Sequence, residues 1–463
     1  MARNALAPMA ALAAMLLANS ALAAVTYLGN LLIDGKGTDL SGLAFTVEDG
    51  SRANGLDGFG SGLAYTGLSP APNVYRFLSI TDRGPNRSTY GKAGALVDNT
   101  TSYPTRFQTW DITVKPADAG KYSLAVSLVK TTLFKNEAGW SFVGRSDQFT
   151  SQDPSQNLRF DPESVRVAPD GTLFVSDEYG PSIYHFDENG KRIGMMHVPD
   201  YYHVKKLSPR GSEEIDRNTV GRVANKGWEG LAITPDGSHL IAAIQSPLLQ
   251  DGGEKSRYER FAIFDAKTGQ IVREVVYALD QDGVGNAAKT TISDIVALND
   301  HEVLVDERDS KKNKTKLAYI ADLNSGSDVS GKTSLLAAED LDPAIKPVTK
   351  TLLFDLKATI LASDPLTNVP PGYTSGIPDK IEGFAFGPEL PDGRRLMVVT
   401  NDNDFLLPAF ANGTSATNKS ADGTAGYPNY FFVFAVDAAT IPGFVPEEFA
   451  PAHIAASASP AEK

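Results

Sequence analysis

The stretch that most constrains this chain is residues 161–187, DPESVRVAPDGTLFVSDEYGPSIYHFD, which reads as most of an antiparallel meander. Residues 163–168 alternate in period two, Pro169-Asp170-Gly171 supplies a turn, residues 172–176 return, and residues 182–186 form a third strand after a Tyr-Gly-Pro break. An antiparallel pair brings the start of its first strand and the end of its second to one edge, so Glu163 falls beside Asp177 and Glu178. Three carboxylates then share a rim.

The same phrase recurs along the chain. GWEGLAITPDGSHLIAAIQSPL carries Glu229 before its first strand, Pro235-Asp236-Gly237 as its turn and Gln245 at the end of the second strand. ISDIVALNDHEVLVDERDS carries Asp294, an Asn299-Asp300 turn, then Asp306 and Glu307; KIEGFAFGPELPDGRRLMVVTNDND carries Glu382, Pro391-Asp392-Gly393, then Asn401 to Asp404. In an earlier, less acidic copy Ser61 stands in the glutamate position and Asp82 follows the second strand. Four-stranded units with turn residues at fixed offsets predict an all-β fold, a β-propeller of about six blades. Two long insertions between blades are expected, a cationic one at residues 200–226 and another at 324–373 whose TSLLAAEDL reads as a helix.

Residues 1–23 read as a secretory signal: Arg3, an apolar run over 5–18 too short to span a bilayer, and Ala21-Leu22-Ala23 as a cleavage site. Residues 24–445 are then the propeller domain, and the Pro-, Glu-, Ala- and Ser-rich 446–463 a flexible tail. The apolar strand at 430–437 has no local partner; pairing it with an N-terminal strand would close the ring and hide both edges. The expected product is a secreted or periplasmic monomer with no integral membrane segment once the signal is removed. A net charge of −13 opposes nucleic-acid binding, which calls for basic stripes.

Cysteine is absent, which excludes thiol nucleophiles, and the six histidines show no zinc-binding spacing. Residues 326–333 match the Walker A pattern, but antiparallel repeats surround them and they are read as a Gly/Ser loop. The acidic rim remains. In a propeller the first strand of each blade lines the axis, so Glu163, Glu229, Asp294 and Glu382 are expected to converge there, with Asp82, Asp177, Glu178, Glu307 and Asp402 just outside. Crowded carboxylates repel unless a cation neutralises them, and all-oxygen ligands, with Gln245, Asn401 or Asn403 assisting, select Ca²⁺, with Mg²⁺ the alternative. Arg83 and Arg308 stand beside the rim, suited to holding a small anionic substrate. The bland alternative is that these acids only cap strand ends and pair with neighbouring arginines.

On the phrases SGLAYT, DRGPN, DPESVRVAPDGTLFVSDE, NKGWEGLAITPDG, LVDER and KIEGFAFGPELPDGRRLMVVTNDND, which occur in order between residues 61 and 404, the chain resembles the phytase-like family of secreted proteins, described as having esterase-like activity of phytase. The resemblance implies a propeller that hydrolyses phosphoester or ester bonds. On that reading metal bound by the rim would activate water, Glu163 or Glu229 would take its proton, and Arg83 and Arg308 would clamp the anion. A calcium-dependent lactonase or carboxylesterase, and a non-catalytic periplasmic binding or scaffold module, are the alternatives.

Overall fold

The turns of the repeat form as their residues dictate. Gly171, Gly237 and Gly393 take φ of +89°, +71° and +86°, where only glycine is unstrained. Their N–H groups donate to the carbonyls of Ala168, Thr234 and Leu390 at 2.9, 2.8 and 2.9 Å. In all three, the aspartate (Asp170, Asp236 and Asp392) also accepts the backbone N–H two residues on, at 3.0, 3.0 and 3.1 Å. The computed structural model in which they lie describes residues 25–86, 98–149, 157–280, 290–309, 315–406, 426–451 and 453.

Its strands build five four-stranded antiparallel sheets arranged as the blades of a propeller. Strand β1 (Val25–Ile33) precedes blade one, formed by β2 (Gly62–Tyr65), β3 (Val74–Ile80), β4 (Arg106–Pro116) and β5 (Tyr122–Leu133). Blade two holds β6 (Pro162–Val167), β7 (Leu173–Asp177), β8 (Ser182–Phe186) and β9 (Arg192–Met195). Blade three follows the short helix α1 (Gly211–Arg217) and holds β10 (Trp228–Ile233), β11 (His239–Ile244), β12 (Tyr258–Asp265) and β13 (Ile271–Ala278). Blade four holds β14 (Thr291–Ala297), β15 (Glu302–Arg308) and β16 (Lys316–Asp322), then a small hairpin, β17 (Leu336–Ala337) with β18 (Asp340–Leu341), before its outermost strand β19 (Thr349–Asp355). After helix α2 (Leu356–Leu361), blade five holds β20 (Lys380–Glu389), β21 (Arg395–Asp402) and β22 (Asn429–Val436).

The blade count corrects the expectation of about six. Strand β1 starts no blade of its own; it pairs antiparallel with β22, from Val25 opposite Val436 to Ile33 opposite Asn429, and is the fourth strand of blade five. The expected ring closure is thereby realised, and the five phrases found in the sequence are the five blades. The second insertion begins inside blade four. Its TSLLAAEDL stretch forms the β17–β18 hairpin instead of a helix, because Leu335 and Leu341 pack with Val329 and Ile345 of the same insertion and with Val276 of blade three. Tertiary burial overrides local helix preference there.

An apolar core fills the space between each adjacent pair of blades. Trp110 and Phe431 meet between blades one and five, Phe107 and Tyr184 join the cluster between one and two, and Phe174 and Trp228 that between two and three. Phe261 and Val305 belong to the cluster between three and four, Leu304 and Phe432 to that between four and five. Both faces of the central strands are therefore buried, and YFFVFAV reads as a continuous apolar run without clean alternation.

The innermost strands β2, β6, β10, β14 and β20 touch in cyclic order around the axis. Midway along it the Arg166 guanidinium donates to the carbonyls of Leu63 and Ile295 at 2.6 and 2.7 Å and to Asp294 Oδ1 at 2.8 Å. Asp294 also accepts from Ser164 Oγ at 2.8 Å and Phe384 N at 3.0 Å. This buried pair ties blades one, two, four and five together across the axis. Removing one partner leaves an uncompensated buried charge, so Asp294→Ala should lower unfolding free energy by about 3–5 kcal/mol in urea titration. A loss under about 0.5 kcal/mol, the size of an ordinary surface change, would refute the role of the pair as an axial tie.

Residues 445–451, the described start of a segment expected as a loose tail from residue 446, cross the end of the propeller that holds the Pro-Asp-Gly turns. Val445, Glu448 and Ala450 N–H groups donate at 2.7 Å to the carbonyls of Leu298, Pro235 and Pro169. Phe449 sets its ring edge-on to Tyr65 at 6.1 Å. Phe449 anchors a segment whose Pro-, Glu-, Ala- and Ser-rich composition suggested no anchor.

Candidate functional site

The acidic positions gather at the opposite end of the axis, and β-bulges bring them there. In β6, β10, β14 and β20 the register against the second strand slips near the start of the strand, between Pro162 and Val165, Trp228 and Gly230, Ile292 and Ile295, and Ile381 and Gly383. A bulge leaves its extra residue unpaired and re-aims its side chain. At equivalent points stand Glu163, Glu229, Ser293 and Glu382, with Ser61 immediately before β2 in blade one. The next residue is glycine in blades one, three and five, where backbones crowd: a Cβ on Gly62 would come within 2.9 Å of the Ser164 Cα, and one on Gly383 within 3.1 Å of the Gly62 carbonyl carbon.

This register moves Asp294 off the place expected for it. Ser293 occupies the glutamate position, its Oγ 3.4 Å from Glu229 Oε1 and 2.8 Å from Arg308 Nε, whereas Asp294 turns into the axial tie. A one-residue offset exchanges the two faces of a strand. The same alternation separates Glu307 from Arg308. Arg308 reaches the axis, while Glu307 points between blades three and four, accepting from Tyr277 Oη, Thr290 Oγ1 at 2.8 Å, Asp280 N at 3.2 Å and Lys350 Nζ. Asp177 caps the turn after β7, accepting from the N–H groups of Asp161, Tyr179 and Gly180 at 3.1, 3.2 and 2.9 Å.

Besides Glu229 and Glu382, six acids form two trios, in each of which one carboxylate oxygen per residue lies within 4.8 Å of the others. Asp161, Glu163 and Glu178 make the first; Asp82, Asp402 and Asp404 make the second. Arg83 lies along the first, donating from its backbone and from Nη1 to Asp161 at 2.9 and 2.8 Å, with Glu178 Oε2 at 3.8 Å. Lys380 Nζ lies in the second, 3.0 Å from Asp402 Oδ2 and 2.6 Å from Asp404 Oδ1. Arg308 joins Glu382 and stands 3.8 Å from Glu229 Oε1. Carboxylates outnumber cations in this group.

The imbalance is visible in the proton equilibria. Burial first, and then Glu229, Asp161, Glu178 and Asp82 in turn, push Glu163 well above the usual carboxylate range. Burial and then Asp161 do the same to Glu178. Glu229 is raised to about 8 by burial and by Glu382, and Asp82 to about 7 by burial, against the pull of Arg83. Asp404, half-buried, is held below its ordinary value by Lys380 against the effect of desolvation.

Glu163 decides what the first trio fits. It is 7% exposed, and among the described residues no donor meets its carboxylate. Glu229 Oε2 is likewise buried with no partner. A buried carboxylate without a donor or counter-charge is costly, and a divalent cation bound by hard oxygen ligands supplies what is missing. The donor set therefore fits Ca²⁺ or Mg²⁺.

Asp161, Ser293, Lys380 and Asp404 were not singled out from sequence as site residues. Period two held the signal for two of them: Asp161 and Lys380 stand two residues before Glu163 and Glu382 and share their side of the strand.

A family model described as phytase-like, esterase-like activity of phytase, matches residues 56–405, from the approach to β2 through the second acidic trio. The chain belongs to the phytase-like family. An uncharacterized secreted protein of Arthroderma benhamiae is 38% identical over 120 residues, and the chain spans 23% of that relative's length, the match covering 23% of this chain. Among solved structures, the calcium-binding protein regucalcin of Agrobacterium tumefaciens is 11% identical, covering 85% of this chain and 94% of that one with a TM-score of 0.33. A gluconolactonase of Xanthomonas campestris is 10% identical over 88% of this chain and 91% of that one, with a TM-score of 0.31. Likeness that low carries nothing about activity. No helix among the described residues is long and apolar enough to cross a membrane, and the expected signal segment lies outside them.

Proposed function

We propose that this phytase-like propeller is an exported hydrolase of small phosphoesters or esters that works with a divalent cation, Ca²⁺ by preference, at the axial carboxylates. The single observation that carries the reading is Glu163, buried beside Asp161 and Glu178 with no donor of its own. A cation there would supply Lewis acidity and lower the pKa of a bound water.

The chain's own residues account for the rest. Asp161, Glu163 and Glu178 would hold the cation. With a cation there, Arg83, which now pairs with Asp161, would be the cationic contact nearest an anionic substrate; Arg308, fixed by Ser293 of its own blade and Glu382 of the next, would offer a second. Glu229, with a free Oε2 and a proton affinity near neutral pH, would exchange the proton of the reaction. Asp177, Asp294 and Glu307, engaged with the protein's own donors, would shape the site from outside it. The protein would act as a monomer on a small anionic molecule, and export would follow from the segment at residues 1–23.

Phosphomonoesters, lactones and short acyl esters assayed with Ca²⁺ and with chelator test this reading. Hydrolysis of a phosphoester or acyl ester that chelation abolishes is the expected result. Turnover of lactones alone would move the protein to a calcium-dependent lactonase, and no turnover of any class would favour a binding module.

A further inference from the structure

The two acidic trios look alike by composition but differ in what already neutralises them. Oxygen ligands of one Ca²⁺ lie at about 2.3–2.6 Å from it and so no more than about 5 Å from one another. Both trios meet that limit, their carboxylate oxygens lying within 4.8 Å of one another. The Lys380 ammonium donates to Asp402 at 3.0 Å and to Asp404 at 2.6 Å, and it stands 4.0 Å from Glu382 Oε1. It therefore holds the position that a cation ligated by Asp402 and Asp404 would take. The first trio has no such occupant: Arg83 reaches Asp161 and Glu178 from one edge and leaves Glu163 unmet. We propose that the site takes a single divalent cation, at Asp161, Glu163 and Glu178, and that Lys380 is a built-in substitute for a second cation at Asp82, Asp402 and Asp404.

The inference rests on the metal reading above and sharpens it. An ammonium presents one charge and three donors where a divalent ion would present two charges and open coordination positions. Lys380 would then fix one positive charge among the carboxylates of the second trio, with the exchangeable cation confined to the first. Lys380 is placed for this by β20, two residues before the bulged Glu382, at the axial end of its blade.

Calorimetric titration of the chelator-stripped mature chain with Ca²⁺ alone counts the ions. Wild type is expected to bind one per chain. Lys380→Met, which keeps the length of the stem and removes the charge, is expected to bind two, and Lys380→Arg one. Glu163→Gln should weaken the wild-type ion at least about tenfold, while the Lys380→Met and Glu163→Gln double variant should retain one tight ion at the second trio. Two ions in wild type, or one in both wild type and a folded Lys380→Met, overturn the inference. Should Lys380→Met fail to fold, wild type and Glu163→Gln decide: a single ion whose affinity Glu163→Gln leaves unchanged also overturns it. No ion in any variant fails the metal reading itself, an outcome distinct from these.

Discussion

Chelator-stripped protein is expected to become more stable as pH falls from about 8 to about 5, and Ca²⁺-saturated protein to become less stable over the same window. The sign follows from the axial acids. Glu229 is raised from 4.5 to about 8, Asp82 and Asp177 from 3.8 to about 7, and Glu163, Glu178 and Asp402 well above their ordinary values, burial being the first cause in each. The native state holds these protons where the unfolded chain has lost them. Their contribution is complete below the unfolded values and disappears as pH rises through the folded ones. Each extra proton held by the native state is worth about 1.4 kcal/mol per pH unit. Cation binding reverses the sign, because ligating carboxylates must be deprotonated and the ion competes with their protons. At 100 times its Kd, Ca²⁺ adds about 2.7 kcal/mol. Urea midpoints measured at several pH values with chelator and with Ca²⁺ should cross. Parallel curves would mean that Asp161, Glu163 and Glu178 are not a cation site.

Replacing Glu229 by Gln should lower kcat/KM by about 10²–10⁴-fold while the fold survives. Burial and the neighbouring Glu382 already keep Glu229 protonated near neutral pH, and Gln resembles that neutral form in shape and hydrogen bonding. What the amide cannot do is give or take a proton. Glu188→Gln, at an exposed turn between β8 and β9, is the control and should change nothing measurable. If Glu229→Gln unfolds the protein and leaves the specific activity of the folded remainder unchanged, the axial acids are structural and the hydrolase reading gives way to a binding module.

The propeller, its turns and the glutamates at one end of the axis were legible in the sequence because they are local. Period-two alternation, a Pro-Asp-Gly turn and an acid ahead of an apolar strand all lie within about twenty residues, and their repetition supplied the architecture. The blade count was not local. It depends on whether Val25–Ile33 pairs with Asn429–Val436, a contact between the two ends of the chain. Tertiary structure alone also decided which acids share the site. Bulges set Ser293, and not Asp294, beside Glu229, and alternation sent Glu307 between blades. Arg83 found Asp161 across 78 positions, and Arg308 found Glu382 across 74. A strand's sequence specifies which residues can be apolar together on one face. The charge that meets Asp161 or Glu382 comes from the neighbouring blade, and only the packing of blade against blade brings it there.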